Sequence, residues 1–255
     1  MFVKRFSARL AILWCLALGC AVTSAGAASF AEIQRIKNQV AIPHWKEAAT
    51  HTQAAWAQES NPATLAIWGA LDQQTDPLIG KAPLEEVTSA RDAPQRLAHA
   101  SWLRWRILSG NADARYSFVY AQHLSQMRDK EGDFGQEAVT FYFHAKLALV
   151  LDGNRCTDRR KAEHLMEWYP AQQSLQPLLA KIAKMGMQDK SISIMEAVSL
   201  EEMLGERPAM GWLCPRRESE APSTTPPPRY LSDDAWRKYR TNLLEQLTRN
   251  AMKDL

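Results

Sequence analysis

Glycine is scarce in this chain, with 11 in 255 residues, below the roughly seven per cent usual for globular proteins. Nor does any segment alternate apolar and polar residues over the roughly four to eight positions that a half-buried strand needs. The two absences disfavour turn-rich sheet architectures and predict an all-α protein. Catalytic signatures are missing as well: there is no G-x-G-x-x-G, no G-x-x-x-x-G-K-[ST] and no G-x-S-x-G, which removes the commonest dinucleotide, P-loop and α/β-hydrolase readings. His44, His51, His99, His123, His144 and His164 show neither H-x-x-x-H nor H-E-x-x-H spacing, so no metal site and no cofactor are expected. His144 lies in an apolar stretch and reads as a satisfied core histidine. Glu85-Glu86, Glu137 and Glu201-Glu202 are carboxylates of helical segments, and nothing in their spacing brings two together as an acid–base pair.

Excess positive charge is also lacking once the N-terminus is set apart. The 31 Lys and Arg exceed the 28 Asp and Glu by three, and Lys4, Arg5 and Arg9 lie in a leader that has no acid. The rest of the chain is neutral, which argues against a nucleic-acid partner and against attachment to anionic lipid by charge alone. After Arg9 comes the apolar run Leu10 to Val22 and then Ala25-Gly26-Ala27, the order of a signal peptide over residues 1–27. The 13 apolar residues rise only about 20 Å as a helix, short of the roughly 30 Å bilayer core. No later stretch approaches the ~18 uncharged apolar residues of a membrane span, so no transmembrane segment is expected after cleavage. The expected location is the periplasm or the medium. Ala17-Leu18-Gly19-Cys20 offers an alternative, lipid anchoring through Cys20, although its large and small residues stand in reversed order for a lipobox.

Cysteine is scarce too. Cys15 and Cys20 leave with the leader, and Cys156 and Cys214 remain. An even pair in an oxidising compartment predicts one disulfide. Closing that loop contributes about 4 kcal/mol in the chain-entropy model. Neither cysteine stands in a C-x-x-C motif, so a reactive thiol is disfavoured.

What the chain does have is helical periodicity. The domain plan is an all-helical domain over 28–214, a Pro-rich linker over 215–230 and a C-terminal amphipathic helix over 231–255. Phe30, Ile33, Ile36, Val40 and Ala41 predict a helix from Ser29 that stops at Pro43. Helices follow from Trp45 to Gln58 and from Pro62 to Leu71, with Asn61 as cap. A connector over 72–92 carries one helical turn at Leu84 to Thr88. Pro94 to Ser109 and Ala112 to Met127 form amphipathic helices. Gln136 to Leu151 is apolar around most of its circumference and is expected in the interior, ending at the turn residues Asp152-Gly153-Asn154. Arg160 to Tyr169, stopped by Pro170, then Leu175 to Met185 and Ser193 to Leu204 complete the body. In the terminal helix Ser232 is the cap, Asp233 and Asp234 suit the positive end of the helix dipole, and Trp236, Tyr239, Leu243 and Leu247 form a stripe for docking on the body.

Tryptophan is abundant, with nine in all. Trp102-Leu103-Arg104-Trp105-Arg106 sets two indoles three apart beside guanidiniums, a composition found at interface hot spots and also at the margin of a core. Trp102, Arg104, Trp105, Arg155, Arg159, Trp236 and Tyr239 are therefore the candidate interface residues. Arg155, Arg159, Arg160 and Lys161 make a local positive patch beside Cys156.

Between Asn111 and Gly153, the placing of Ala112, Ala114, Tyr116, Tyr120 and Leu124, then of Glu137-Ala138-Val139, Phe141-Tyr142, Ala145 and Ala148, resembles a SEL-like or tetratricopeptide helical repeat. The glycine-rich turn of SEL-like repeats is missing. The resemblance implies helical hairpins packed as a bundle or short α-solenoid, with a surface that binds protein segments. Separately, Asp152-Gly153-Asn154-Arg155-Cys156 with Arg207-Pro208 and Trp212-Leu213-Cys214 looks like uncharacterised secreted proteins of Gram-negative bacteria, which implies the disulfide and no activity. The resulting expectation is an exported, non-catalytic helical protein that binds or scaffolds a protein partner in the envelope. The alternative is a periplasmic hydrolase acting on cell-wall or peptide substrates.

Overall fold

The computed structural model describes residues 31, 34–35, 37–59, 62–76, 80–90, 92–110, 112–127, 135–214 and 229–252, without the side chains of 53–59 and 252. The predicted leader with Cys20, most of the helix from Ser29, most of the Pro-rich linker and the side chain of Trp56 lie outside them. Among the described residues there are ten α-helices and no strand. They are α1 (Ile42–Glu59), α2 (Pro62–Gln73), α3 (Leu84–Thr88), α4 (Ala93–Leu108), α5 (Ala114–Gln126), α6 (Gly135–Asn154), α7 (Arg160–Ala171), α8 (Gln176–Lys184), α9 (Met187–Leu204) and α10 (Asp233–Met252).

α6 is the central element. It packs most extensively against α5 and next against α9; α4 packs on α5, and α10 packs on α9 and on the end of α6. α1 crosses to touch α4 and α9, while α7 and α8 lie against α5 and α6. The apolar circumference predicted for α6 is buried, from Ala138 and Val139 through Phe141 and Tyr142 to Leu151. Its interface with α5 is built from rings: Phe118 meets Tyr142 at 5.8 Å and Tyr120 meets Phe141 at 4.6 Å, both near edge to face. That geometry suits the ring quadrupoles.

Four indoles tie separate layers together. Trp45 Nε1 donates to the Glu196 carbonyl at 3.1 Å, Trp68 to Ala98 at 2.8 Å and Trp236 to Leu151 at 3.1 Å, while Trp102 donates to Asp72 Oδ1 at 2.9 Å. Each ring fills core volume and its N–H fixes register, because a buried donor left unpaired costs about 1–3 kcal/mol.

Several helix ends differ from the sequence expectation, each for a local reason. Pro43 does not stop a helix: a π-helical turn over Lys37–Ala41 runs directly into α1, and Pro43 is its second residue. Asp152-Gly153-Asn154 does not end α6, which continues through Asn154. Gly153 is there for closeness: a Cβ on it would lie 2.5 Å from the Cβ of Ala162 in α7. α7 passes Pro170 and ends one residue later, at Ala171. α9 starts at Met187, six residues before the expected Ser193. Its first two turns are polar, and the buried Ser193 and Ser199 bond back to Asp189 and Met195 carbonyls in the same helix.

Candidate functional site

Asp152, at the end of α6, faces Arg207 in the segment that follows α9. The Arg207 guanidinium reaches Glu201 Oε2 at 2.5 Å through Nη1 and Asp152 Oδ1 at 3.3 Å through Nη2. Glu201 lies on the last turns of α9, where His144 of α6 approaches with Nε2 at 3.4 Å and Arg240 of α10 approaches Oε1 at 3.4 Å. On its other side the His144 ring places Nδ1 within hydrogen-bond distance, 2.9 Å, of the Ser117 hydroxyl of α5. Five elements therefore meet in one chain of polar groups, and Ser117, His144, Asp152, Glu201 and Arg207 are all buried.

The charges within it are unequally matched. Burial drives the Glu201 carboxyl upward, but Arg207 and His144 outweigh it and bring the pKa down to about 2. Burial also raises Asp152, and the more distant Arg207 only partly opposes it, leaving the pKa at about 6. Asp152 Oδ2 has no hydrogen-bond partner within the structure, in keeping with that imbalance. His144 is lowered by burial more than Glu201 raises it, so the ring is neutral at physiological pH. Of this cluster, Asp152 and Arg207 were visible in sequence only within the segments that flank the cysteines, and Glu201 only as a helical carboxylate. Ser117 and Arg240 carried no signal, because a serine inside a helix and an arginine on a terminal helix are ordinary residues.

A hydroxyl, an imidazole and a carboxylate in series invite a nucleophile–base–acid reading. Ser117 is 1% exposed and His144 3%, however, so the hydroxyl meets no solvent and no substrate as the protein stands. A cavity of about 140 Å³ lies elsewhere, between the ends of α5, α6 and α8, where Leu124, Met127, Leu178 and Lys181 line it. No group of three or more His, Cys, Asp or Glu among the described residues is arranged to hold a metal ion.

The disulfide joins Cys156 to Cys214, with Cα atoms 5.0 Å apart, as the cysteine count predicts. Around it the candidate interface residues find internal partners. Arg155 donates to the Arg207 carbonyl at 2.6 Å and to Asp233 at 3.0 Å, and its guanidinium lies 4.4 Å from the Trp236 ring centroid. Trp236 is 2% exposed, and Tyr239 packs with Leu243 and Leu247 against Leu147, Leu151 and Val198. Arg155, Trp236 and Tyr239 thus belong to an interface inside the chain, where α10 docks on the body, and not to an open surface. Trp102 is fully buried, which corrects its assignment to a surface. Arg104 pairs with Glu137 at 3.2 Å, and Trp105 stacks on Trp68 at 5.8 Å. Within the positive patch, Arg160 pairs with Asp158 at 2.6 Å and Lys161 donates to the Trp212 carbonyl at 2.7 Å. Arg159 stays exposed.

These features define an all-helical protein with one disulfide and a buried ionic junction. No helix among the described residues is long and apolar enough to cross a membrane. No protein-family profile matches the chain, and neither a curated protein nor a solved structure shows significant similarity to it.

Proposed function

We propose that this is an exported, non-catalytic helical protein of the bacterial envelope that binds or scaffolds another protein, with no nucleic acid and no cofactor involved. The observation that carries this reading is where the reactive side chains are spent. Ser117, His144, Glu201, Asp152 and Arg207 hold neighbouring elements together and are buried, while Trp168 on α7 and Arg159 just before it are exposed to solvent. The signal-peptide pattern supports export, and the mass of the mature N-terminus tests it: cleavage after Ala27 supports a free periplasmic or secreted chain, and a diacylated Cys20 supports the anchored form. In-cell cross-linking in the envelope, followed by the same experiment with Trp168→Ala and Arg159→Glu, tests binding. The expected result is a discrete adduct that the surface variants weaken; adducts unaffected by both, or none at all, would sink the proposal.

A periplasmic hydrolase is the second reading, favoured by the Ser117–His144–Glu201 series. It requires the core to open. Turnover of peptidoglycan or peptide substrates that disappears in Ser117→Ala would support it, and inert wild-type protein would end it.

A further inference from the structure

The two halves of the disulfide have separate roles in holding α10. On one side, Cys156 forms an isolated antiparallel bridge with Tyr230: Thr157 N donates to the Arg229 carbonyl at 3.1 Å, and Leu231 N to the Arg155 carbonyl at 2.9 Å. Arg155 then grips Asp233 and Trp236, as described above. On the other side, the Arg229 guanidinium donates to the carbonyls of Cys214 and Gly211, and Arg240 donates to Gly205 O at 3.2 Å and to Glu201 O at 2.7 Å. The stretch 229–240 therefore straddles both segments that the disulfide joins. Holding two half-sites together raises the effective concentration of each for that stretch, and releasing them removes the advantage.

The protection runs both ways. Cys156 and Cys214 are each 1% exposed, so no thiolate reaches their sulfurs until a neighbouring segment lifts. Linked equilibria of this kind are reciprocal: whatever the bond does for docking, docking does for the bond.

We propose that the Cys156–Cys214 disulfide is a redox latch for α10, opened by a dithiol reductant of the C-x-x-C class once residues 229–231 lift. One thiolate of the reductant attacks a cysteine Sγ, the S–S bond breaks, and the other Sγ leaves as a thiolate that takes up a proton. The second reductant thiol then resolves the mixed disulfide. Two electrons and two protons pass to the protein, and the reductant departs as its own disulfide. Release of α10 uncovers Leu147, Leu151 and Val198 on α6 and α9, the apolar strip that it covers when docked.

Hydrogen exchange on the full chain, oxidised and after reduction with dithiothreitol, tests the forward direction. Exchange in 233–252 is expected to rise at least about fivefold, the low end for coupled sites, beyond whatever rise α5 and α6 show. Unchanged protection of α10 overturns the latch, and so does a rise in α10 no larger than that in α5 and α6, which would make the bond a global staple alone. The reverse direction needs no cysteine variant. The equilibrium constant for reduction, read by alkylation in dithiothreitol redox buffers, should shift toward the dithiol by a similar factor in Trp236→Ala and, should that chain not fold, in Arg155→Met; a constant equal to wild type in a folded variant overturns the proposal.

Discussion

At the α5–α6 interface, Phe118, Tyr120, Phe141 and Tyr142 meet as rings, and what they gain is apolar area removed from water and the favourable geometry of edge-on contacts. At the junction of α6, α9 and α10 burial is achieved instead with Asp152, Glu201 and Arg207, with the half-buried Arg240 at their edge. The first region tolerates reshaping, since any apolar group of similar volume recovers most of the stabilisation. The second is intolerant of partial change: each charge is offset only by its neighbours, and removing one leaves another buried and unpaired. Specificity of helix arrangement therefore resides at the junction, and bulk stabilisation in the rings.

The largest expected effect separates the two regions directly. Arg207→Met should cost about 3–5 kcal/mol in urea denaturation, because it strands two buried carboxylates, whereas Leu149→Met in the ring core should cost less than about 1.5 kcal/mol. Neutralising the cluster as a set, with Glu201→Gln and Asp152→Asn added to Arg207→Met, should recover at least half of the loss. A triple variant no better than the single one would mean that the junction is not limited by uncompensated charge.

Next in size is the disulfide. Cys156→Ser with Cys214→Ser opens a loop of 58 residues, and the chain-entropy model gives about 4 kcal/mol for it. A shift in the denaturant midpoint worth less than about 1 kcal/mol would show that the noncovalent junction already restrains the segment.

Acid sharpens the comparison further. His123, behind the ring core, has its pKa pushed down to about 4 chiefly by burial, with the Val87 carbonyl opposing. The unfolded histidine, near 6.5, takes up its proton first, so this group's stabilisation is complete above about pH 6.5 and falls by about 3 kcal/mol on the way to pH 4. Asp152 runs the other way: its raised folded pKa makes it more stabilising as pH falls through 6 toward its ordinary value. His123→Gln retains an Nε2 donor for Val87 and removes the first effect. Its stability relative to wild type should therefore rise by up to about 3 kcal/mol between pH 7 and pH 4, and parallel profiles would refute the assignment.

The smallest expected effect lies at a helix start outside both regions. Asp92 Oδ1 accepts from Gln95 N at 2.7 Å at the head of α4, and Asp92→Ala should cost about 1 kcal/mol. Thermal unfolding that shows no change would mean that α4 is held by its packing alone.

Periodicity alone located α3 and, within a residue or two, the bounds of α2, α4 and α5. It located α6 as interior for the right reason, the apolar circumference. It went astray where a residue's local preference served packing instead. Gly153 reads as a stop and is a point of close approach to Ala162; Ser193 reads as a helix start and instead lies inside α9, buried, with Gln136 Nε2 donating to its Oγ at 2.6 Å. The junction itself was largely illegible. Its members are spread from Ser117 to Arg240, and no short-range spacing links a carboxylate at 152 to a guanidinium at 207. Only the cysteines reported that the flanking segments meet. Charged residues near them read as surface because, in sequence, an arginine that closes an internal interface looks the same as one in water.

The four tryptophans that donate across layers have a spectroscopic consequence. Trp45 belongs to α1, Trp68 to α2, Trp102 to α4 and Trp236 to α10, and each sits in its own dry, hydrogen-bonded niche. Fluorescence from a buried indole shifts to longer wavelength when water reaches it. A set of chains that each keep one of these four, with phenylalanine at every other tryptophan, would report layer by layer on the order in which the molecule comes apart.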